Sequence, residues 1–310
     1  MYGKSVKSGS HISRTYRIEK ELGSGGSGAV YLAWHIRLRK HVVIKIVKNC
    51  SYGKAEVRRN EVEALKSIKN MHIPQVLDFV TLNDHSLTVM EYIDGESFDK
   101  LLRLGRRFPE EQIEKWYCQL ASALISIHKY NVCHRDIKPS NIMLTTCGDV
   151  YLIDFNSAFV GGNDTGMINR SMGYASPEQY EYFKVCRDAF AKTVLMYSHH
   201  IETVLLSNDC KTELVSGTGK PEQSDAYDPG SRNAGVIDWK LSDIYSLGAT
   251  MYHFLTGKRP PVKADDVSKI INLNGYSRGI LEIIYKSMKS DPSERFISAE
   301  ELSYALWRIM

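Results

Sequence analysis

The densest chemistry in this 310-residue chain lies in His134-Arg135-Asp136-Ile137-Lys138-Pro139-Ser140-Asn141 and in Asp154-Phe155-Asn156, which begins eighteen residues after Asp136. Two carboxylates and an amide at this separation suit phosphoryl transfer. That reaction needs a base to accept or orient a hydroxyl proton, and Mg²⁺ needs oxygen ligands beside the phosphates. Lys138 can offset charge on a moving phosphoryl group. A polar turn on a helical protein is the plainer reading. It does not account for the whole set arriving together and in order.

A second signal precedes this one. Gly23-Ser24-Gly25-Gly26-Ser27-Gly28-Ala29-Val30 lies between two strand-like segments. Glycines let a backbone approach phosphates closely and aim N–H groups at the anion. The run is weak alone, because a dinucleotide fingerprint has the same three-glycine spacing. That fingerprint opens a helix, however, whereas residues 29–33 continue as strand. Lys45 follows Gly23 by 22 positions, inside the β-branched cluster Val42, Val43, Ile44 and Ile46. There it can reach the α- and β-phosphates of a nucleotide, the alternative being a lysine on the solvent face of an edge strand. Glu61 can pair with the Lys45 ammonium, with Glu63 as its rival. Glu61 is preferred because Ala64, Leu65 and Ile68 share its inner helical face.

These groups need elements to hold them. Residues 17–46 read as strand, glycine turn, strand and strand. Residues 54–69 read as a helix stopped by Pro74, and 76–80 with 87–92 as a strand pair. Beyond Gly95 the pattern changes. Ile113, Trp116, Tyr117, Leu120, Ala121, Leu124 and Ile127 recur at a period of about 3.6, so 110–130 reads as a long helix. Short β pieces follow at 142–144 and 151–153, then helices at 242–255, 268–271, 278–288 and 299–307. Residues 185–206 suit one or two helices. Residues 207–235, rich in Ser, Gly, Asp and Pro, read as a mobile surface loop. The expected organisation is a leader at 1–13, a small first lobe at 14–94 and a larger second lobe at 95–310, with an atypical insertion at about 180–238.

Composition narrows the field. The chain is 43% hydrophobic and 25% charged with a formal net charge of +4. That balance suits a soluble globular protein and demands neither a nucleic acid nor a membrane as partner. No apolar run approaches the roughly 18 residues of a membrane span, and the polar start lacks the apolar stretch of a signal peptide. Cys50, Cys118, Cys133, Cys147, Cys186 and Cys210 form no CxxC pair, which disfavours a zinc or dithiol site. Scattered reduced thiols fit a cytoplasmic protein.

Three further motifs complete a pattern: Ser176-Pro177-Glu178, Ser242-Asp243-Ile244-Tyr245-Ser246-Leu247-Gly248, and Asp291-Pro292 with Arg295. With these, the chain resembles the protein-kinase superfamily over about residues 14–308, apart from 180–238. Lys138-Pro139 resembles the serine/threonine branch. The run Gly173-Tyr174-Ala175-Ser176-Pro177-Glu178-Gln179-Tyr180 and the 242–248 segment are similar to bacterial (eukaryotic-like) serine/threonine protein kinases. The resemblance implies an α+β, bilobal protein-kinase fold, with a β-rich N-lobe carrying one key helix and a mostly helical C-lobe. It implies ATP-dependent transfer to serine or threonine hydroxyls of proteins, with autophosphorylation. Gly23, Gly25 and Gly28 would cover the triphosphate and Val30 the adenine. Val43, where alanine is usual, would narrow the purine roof. Met90 would stand behind the adenine, Glu91 and Ile93 would offer backbone hydrogen bonds to it, and Met143 would form the floor. Lys45, paired with Glu61, would hold the α- and β-phosphates. Asp136 would be the base, and Asn141 and Asp154 would bind Mg²⁺, with Mn²⁺ as a substitute. Glu178 would pair with Arg295, and Asp243 would hold the catalytic loop from below.

The chain departs from the family at three points. Asn156 replaces a glycine, although asparagine tolerates positive φ better than most residues. Ser176 replaces an alanine. Far more residues than usual separate Glu178 from Asp243, and docking of a partner or substrate through 180–238 is the expected use of the surplus. Thr165 is the expected autophosphorylation site ahead of Ser157, with Arg135 clamping the phosphate. Ser171 suits a structural bond to the catalytic Asp and Lys. Substrate choice reads both ways: Ser140 stands where arginine-directed kinases carry glutamate, yet Asp94, Glu96 and Asp99 form an acidic patch. Two other functions compete. A nucleotide-binding pseudokinase or scaffold is favoured only by Asn156, and a small-molecule phosphotransferase is disfavoured by Lys138, Ser176-Pro177-Glu178 and Asp243.

Overall fold

The computed structural model describes residues 11–12, 14–25, 28–48, 62–82, 85–155, 158–160, 171–185, 237–262 and 264–310. Residues 1–176 with 239–310 form one compact unit, and residues 177–238 a second. In the second, residues 177–185 are helical, starting at Pro177, whose fixed φ suits a first helical turn.

The main unit opens with an antiparallel sheet. Its strands are β1 (His11–Ile12), β2 (Tyr16–Gly25), β3 (Gly28–His35), β4 (Lys40–Lys48), β5 (Val76–Leu82) and β6 (His85–Glu91), in the order β1-β2-β3-β4-β6-β5. Helix α1 (residues 62–67) falls between β4 and β5 in the chain. Period-two alternation gives β4 two different faces. Val42 and Ile44 are buried with Tyr31, Ala33, Leu87 and Val89 in the sheet's own core. The odd positions, Val43 and Lys45, stand on the opposite face, beside their cross-strand neighbours Val30, Thr88 and Met90. That division places the lysine and the expected purine roof together.

The second lobe begins with β7 (Gly95–Ser97) and α2 (Phe98–Arg103), whose N-cap Ser97 accepts a bond from Lys100 N. Helix α3 (Glu110–Lys129) buries the apolar stripe expected from its sequence. Then come β8 (Val132–Cys133), β9 (Ile142–Thr145), β10 (Val150–Leu152) and β11 (Phe159–Val160). Numbering the helix at 177–185 as α4, the lobe closes with α5 (Trp239–Thr256), α6 (Ala264–Val267), α7 (Arg278–Ser287) and α8 (Ala299–Trp307). Phe98 stacks on Phe254 at 4.0 Å and meets Trp116 edge-on at 4.9 Å, so three elements lock at one aromatic cluster. Tyr117 and Ser287 join α3 to α7 by a buried 3.0 Å hydrogen bond. No helix among the described residues is long and apolar enough to cross a membrane.

The architecture is the α+β bilobal one expected. Three details differ. Strand β1 lies within the expected leader, pairing His11 and Ile12 with Arg17 and Tyr16. The helix expected at 268–271 is instead α6, four residues earlier, followed by a 3₁₀ turn at Ile270–Asn272. Only Ile270 of the Ile270-Ile271 pair is buried, so the run has too little apolar face to carry an α-helix. The short elements β7, α2, β8 and β11 were not expected at all. The expected elements within 49–61 and 186–236 lie outside the described residues, as do Glu61, Asn156, Ser157 and Thr165.

Candidate active site

Asp136 lies between β8 and β9, in a loop whose backbone is fixed from below. Asp243, on α5 and fully buried, accepts His134 N–H on Oδ2 and Arg135 N–H on Oδ1, both at 2.8 Å. His128 Nε2 lies 3.0 Å from Oδ2. A buried carboxylate with three convergent donors is satisfied, and removing it would strand all three. Cys133 lies close enough for His128, Cys133 and Asp243 to resemble a metal cluster. Both carboxylate oxygens are already taken by N–H groups, so this is a hydrogen-bond hub.

The loop then presents its side chains. Lys138 Nζ lies 2.8 Å from Asp136 Oδ2 and donates to Ser171 Oγ at 3.0 Å. Ser171 donates in turn to Asp136 Oδ1 at 2.6 Å. Asn141 Nδ2 donates to the Asp136 carbonyl at 2.8 Å and to its Oδ2 at 3.1 Å. Ser171 therefore stands where the sequence reading put it, between the aspartate and the lysine. Asn141 spends its N–H groups inward, which leaves its Oδ1, among the described residues, with only a long 3.4 Å bond from Ser140.

Asp154 follows the β9–β10 hairpin and is tied to the same loop. Ile153 N–H donates to Asn141 O at 2.9 Å, and His134 Nε2 lies 3.0 Å from Ile153 O. Asp154 has φ +66, and Arg135 in the catalytic loop has φ +59. Positive φ is uncommon for side-chain-bearing residues and concentrates at functional sites. Across the lobes, Lys45 Nζ donates to Asp154 Oδ1 at 2.9 Å. Asp154 Oδ2 has no partner among the described residues. The donor set that remains, Asn141 Oδ1 and Asp154 Oδ2, is all oxygen, as a hard cation such as Mg²⁺ requires.

The glycine-bearing ends of β2 and β3 belong to the same sheet as Lys45. Gly23 pairs with Val30 and Gly25 with Gly28, and Val30 pairs onward with Lys45. Gly28 has φ +128, and a Cβ there would strike the Ile46 carbonyl, so only glycine fits. Met90 opposes Val43 on β6. Glu91 N–H is bonded to Gln75 O at 2.9 Å. Ile93 is buried just beyond, and Met143 on β9 pairs with Ser97 and Tyr151. The structure thus gathers Lys45 with Asp154, and Asp136 with Lys138 and Asn141. Glu61 lies outside the described residues.

Three partnerships escaped the sequence reading. Arg135, 1% exposed, lies over the rings of Phe159 at 5.6 Å and Trp239 at 5.0 Å. Trp239 is four positions before Asp243 on α5, and that shared helical face was the available signal. His128, at the end of the α3 stripe, completes the Asp243 hub. Tyr174 bonds His253 Nδ1 at 2.6 Å, for which the sequence carries no spacing signal.

A strand-borne lysine meeting an aspartate, on a sheet whose neighbouring strands carry the glycines, defines a protein-kinase arrangement. The chain belongs to the protein kinase domain family, whose model matches residues 16–224. It is 32% identical over 198 residues to a probable serine/threonine-protein kinase of Clostridium acetobutylicum, covering 61% of this chain and 30% of that protein. It is 27% identical over 316 aligned positions to the serine/threonine-protein kinase PknA of Corynebacterium glutamicum, covering 95% and 56%. It is 30% identical over 179 residues to the carbon catabolite-derepressing protein kinase of Saccharomyces cerevisiae, covering 56% and 28%. The chain therefore spans less than two thirds of the length of these curated relatives.

Proposed function

We propose that this chain transfers the γ-phosphoryl group of ATP to serine or threonine hydroxyls of proteins, itself included. The observation that carries the reading is the 2.9 Å contact of Lys45 with Asp154 beside an Asp136 held by Lys138, Ser171 and Asn141. Lys45 engages the α- and β-phosphates, exchanging its Asp154 contact for them in part. Asp136, fixed on both carboxylate oxygens, orients the acceptor hydroxyl and takes its proton. Lys138 offsets charge on the group in transit. Mg²⁺, or Mn²⁺ in its place, would be held by Asn141 and Asp154 and would neutralise phosphate charge. Val30, Val43, Met90 and Met143 enclose the purine, and the backbone at Glu91 and Ile93 reads its edge.

The test is transfer from radiolabelled ATP, comparing the intact protein with Asp136→Asn. The wild type labels itself and a generic protein substrate. The variant retains nucleotide binding and loses roughly 10²–10⁴-fold in rate. A wild type that binds nucleotide yet labels no protein would sink the reading in favour of a scaffold. Label passing only to small hydroxyl compounds would favour a small-molecule phosphotransferase.

A further inference from the structure

Beside the catalytic loop lies a groove of about 480 Å³ whose lining includes Asp99, Arg103, Lys138, Tyr174, His253 and Arg259. Lys138 and Ser171 both touch Asp136 and both line it. A chain whose hydroxyl reaches Asp136 must therefore lay a neighbouring residue across this groove.

The charges around it do not cancel. Of the acidic patch suggested by the sequence, Glu96 on β7 pairs with Lys100 on α2 at 2.8 Å and Asp99 pairs with Arg103, while Asp94 does not line the groove. Lys138 is paired with Asp136. Two cations remain. Arg259 has no ion-pair partner among the described residues, and neither does Arg107, whose guanidinium packs directly against Gly257 on the groove wall. The floor between them is His253, on α5. Burial first, and then the charges of Arg259 and Arg107, push its pKa down to about 4. It is neutral at physiological pH and accepts the Tyr174 hydroxyl proton at 2.6 Å. Among the described residues that line the groove the surplus is positive, and His253 adds nothing to offset it.

We propose that this groove selects protein substrates with a negatively charged residue, carboxylate or phosphate, next to the acceptor hydroxyl, and that Arg259 sets the preference. The inference rests on the kinase reading above and extends it to substrate class. An anion seated here gains the unpaired guanidinium, while a lysine meets like charge.

Fluorescein-labelled serine peptides test it, identical except for Ala, Glu, Lys or phosphoserine at each of three positions on either side of the acceptor. Binding to the intact chain is read by anisotropy, and phosphorylation with Mg-ATP is read separately. At one flanking position the Glu peptide should exceed its Lys counterpart roughly five- to tenfold in both affinity and kcat/KM. Comparison of Glu with phosphoserine then separates a carboxylate-reading groove from a phosphate-reading one. Arg259→Ala should bring the Glu/Lys ratio toward one, and Arg259→Lys should restore most of it. Equal Glu and Lys peptides at every position, or a ratio untouched by Arg259→Ala, overturns the inference. Selective binding without any transfer keeps the anion preference and overturns the kinase reading instead. Transfer without selectivity does the reverse.

Discussion

His253 shows how one residue converts its surroundings into a pH dependence. Its folded pKa is lowered from 6.5 to about 4 by burial and by two arginines. Burial holds Tyr174 the other way, at about 12, so its hydroxyl stays a donor to His253. A depressed folded pKa means the unfolded chain takes up the proton first. The stabilising contribution is therefore complete above pH 6.5 and drains away as pH falls toward about 4. The unfolding midpoint should fall further between pH 7 and pH 4.5 in the wild type than in His253→Gln, and parallel curves would contradict the assignment. Residue types alone made part of the site legible. Lys45, Asp136, Asn141 and Asp154 are each the kind of group phosphoryl transfer needs, at spacings that admit few other uses. Arg135 was not legible in the same way. A guanidinium next to this aspartate suggests a phosphate clamp, and its contact with two aromatic faces brought in from β11 and α5 was a further option that the sequence did not announce. Sequence reports what a side chain can bind, and the aromatic partners of Arg135 come from elements distant in the chain.

At the scale of elements, alternation made the sheet lobe readable. On β4, adjacent residues serve opposite purposes. Ile44 is fully buried in the sheet core, and Val43 stands on the other face, opposite Met90. Ile44→Ala should therefore cost about 2–5 kcal/mol of stability through the lost side chain and the cavity it leaves. Val43→Ala should cost less and, with Val43 the purine roof proposed above, chiefly alter ATP affinity. Thermal melts and nucleotide titrations on the two variants separate these effects. If both changes hit stability alike and leave nucleotide affinity alone, the assignment of faces is wrong. Long amphipathic helices were as plain as this strand: α3 and α8 fall within one residue of their expected bounds. The pieces β7, β8 and β11 span two or three residues each, and their pairing partners are distant in sequence. No local period can announce such elements, because a tertiary contact creates them.

At the scale of the molecule, the two-lobed plan followed from the order of the motifs, while the long stretch between Glu178 and Asp243 carried no comparable pattern. Its anchor points are informative. The main unit ends at Ser176 and resumes at Trp239. Ser176 Oγ lies 2.8 Å from Ser242 Oγ, both buried, so the chain leaves and returns at nearly one place. An excursion that starts and ends together can change length cheaply, because closure entropy varies only logarithmically; removing half of it shifts stability by less than about 1 kcal/mol. Energetic tolerance leaves the segment open to a separate use, and docking of a protein substrate or partner is the one we propose for it. Residues 207–235 lie outside the described residues, and excising them is the direct trial. The shortened chain should keep its unfolding midpoint and its rate on a generic peptide, because Asp136, Lys45 and Asp154 all belong to the main unit. Its choice among the proteins of a mixed extract, read by phosphoproteomics with labelled ATP, should change. An identical set of phosphorylated proteins from the intact and shortened chains would show that this stretch does not dock substrates.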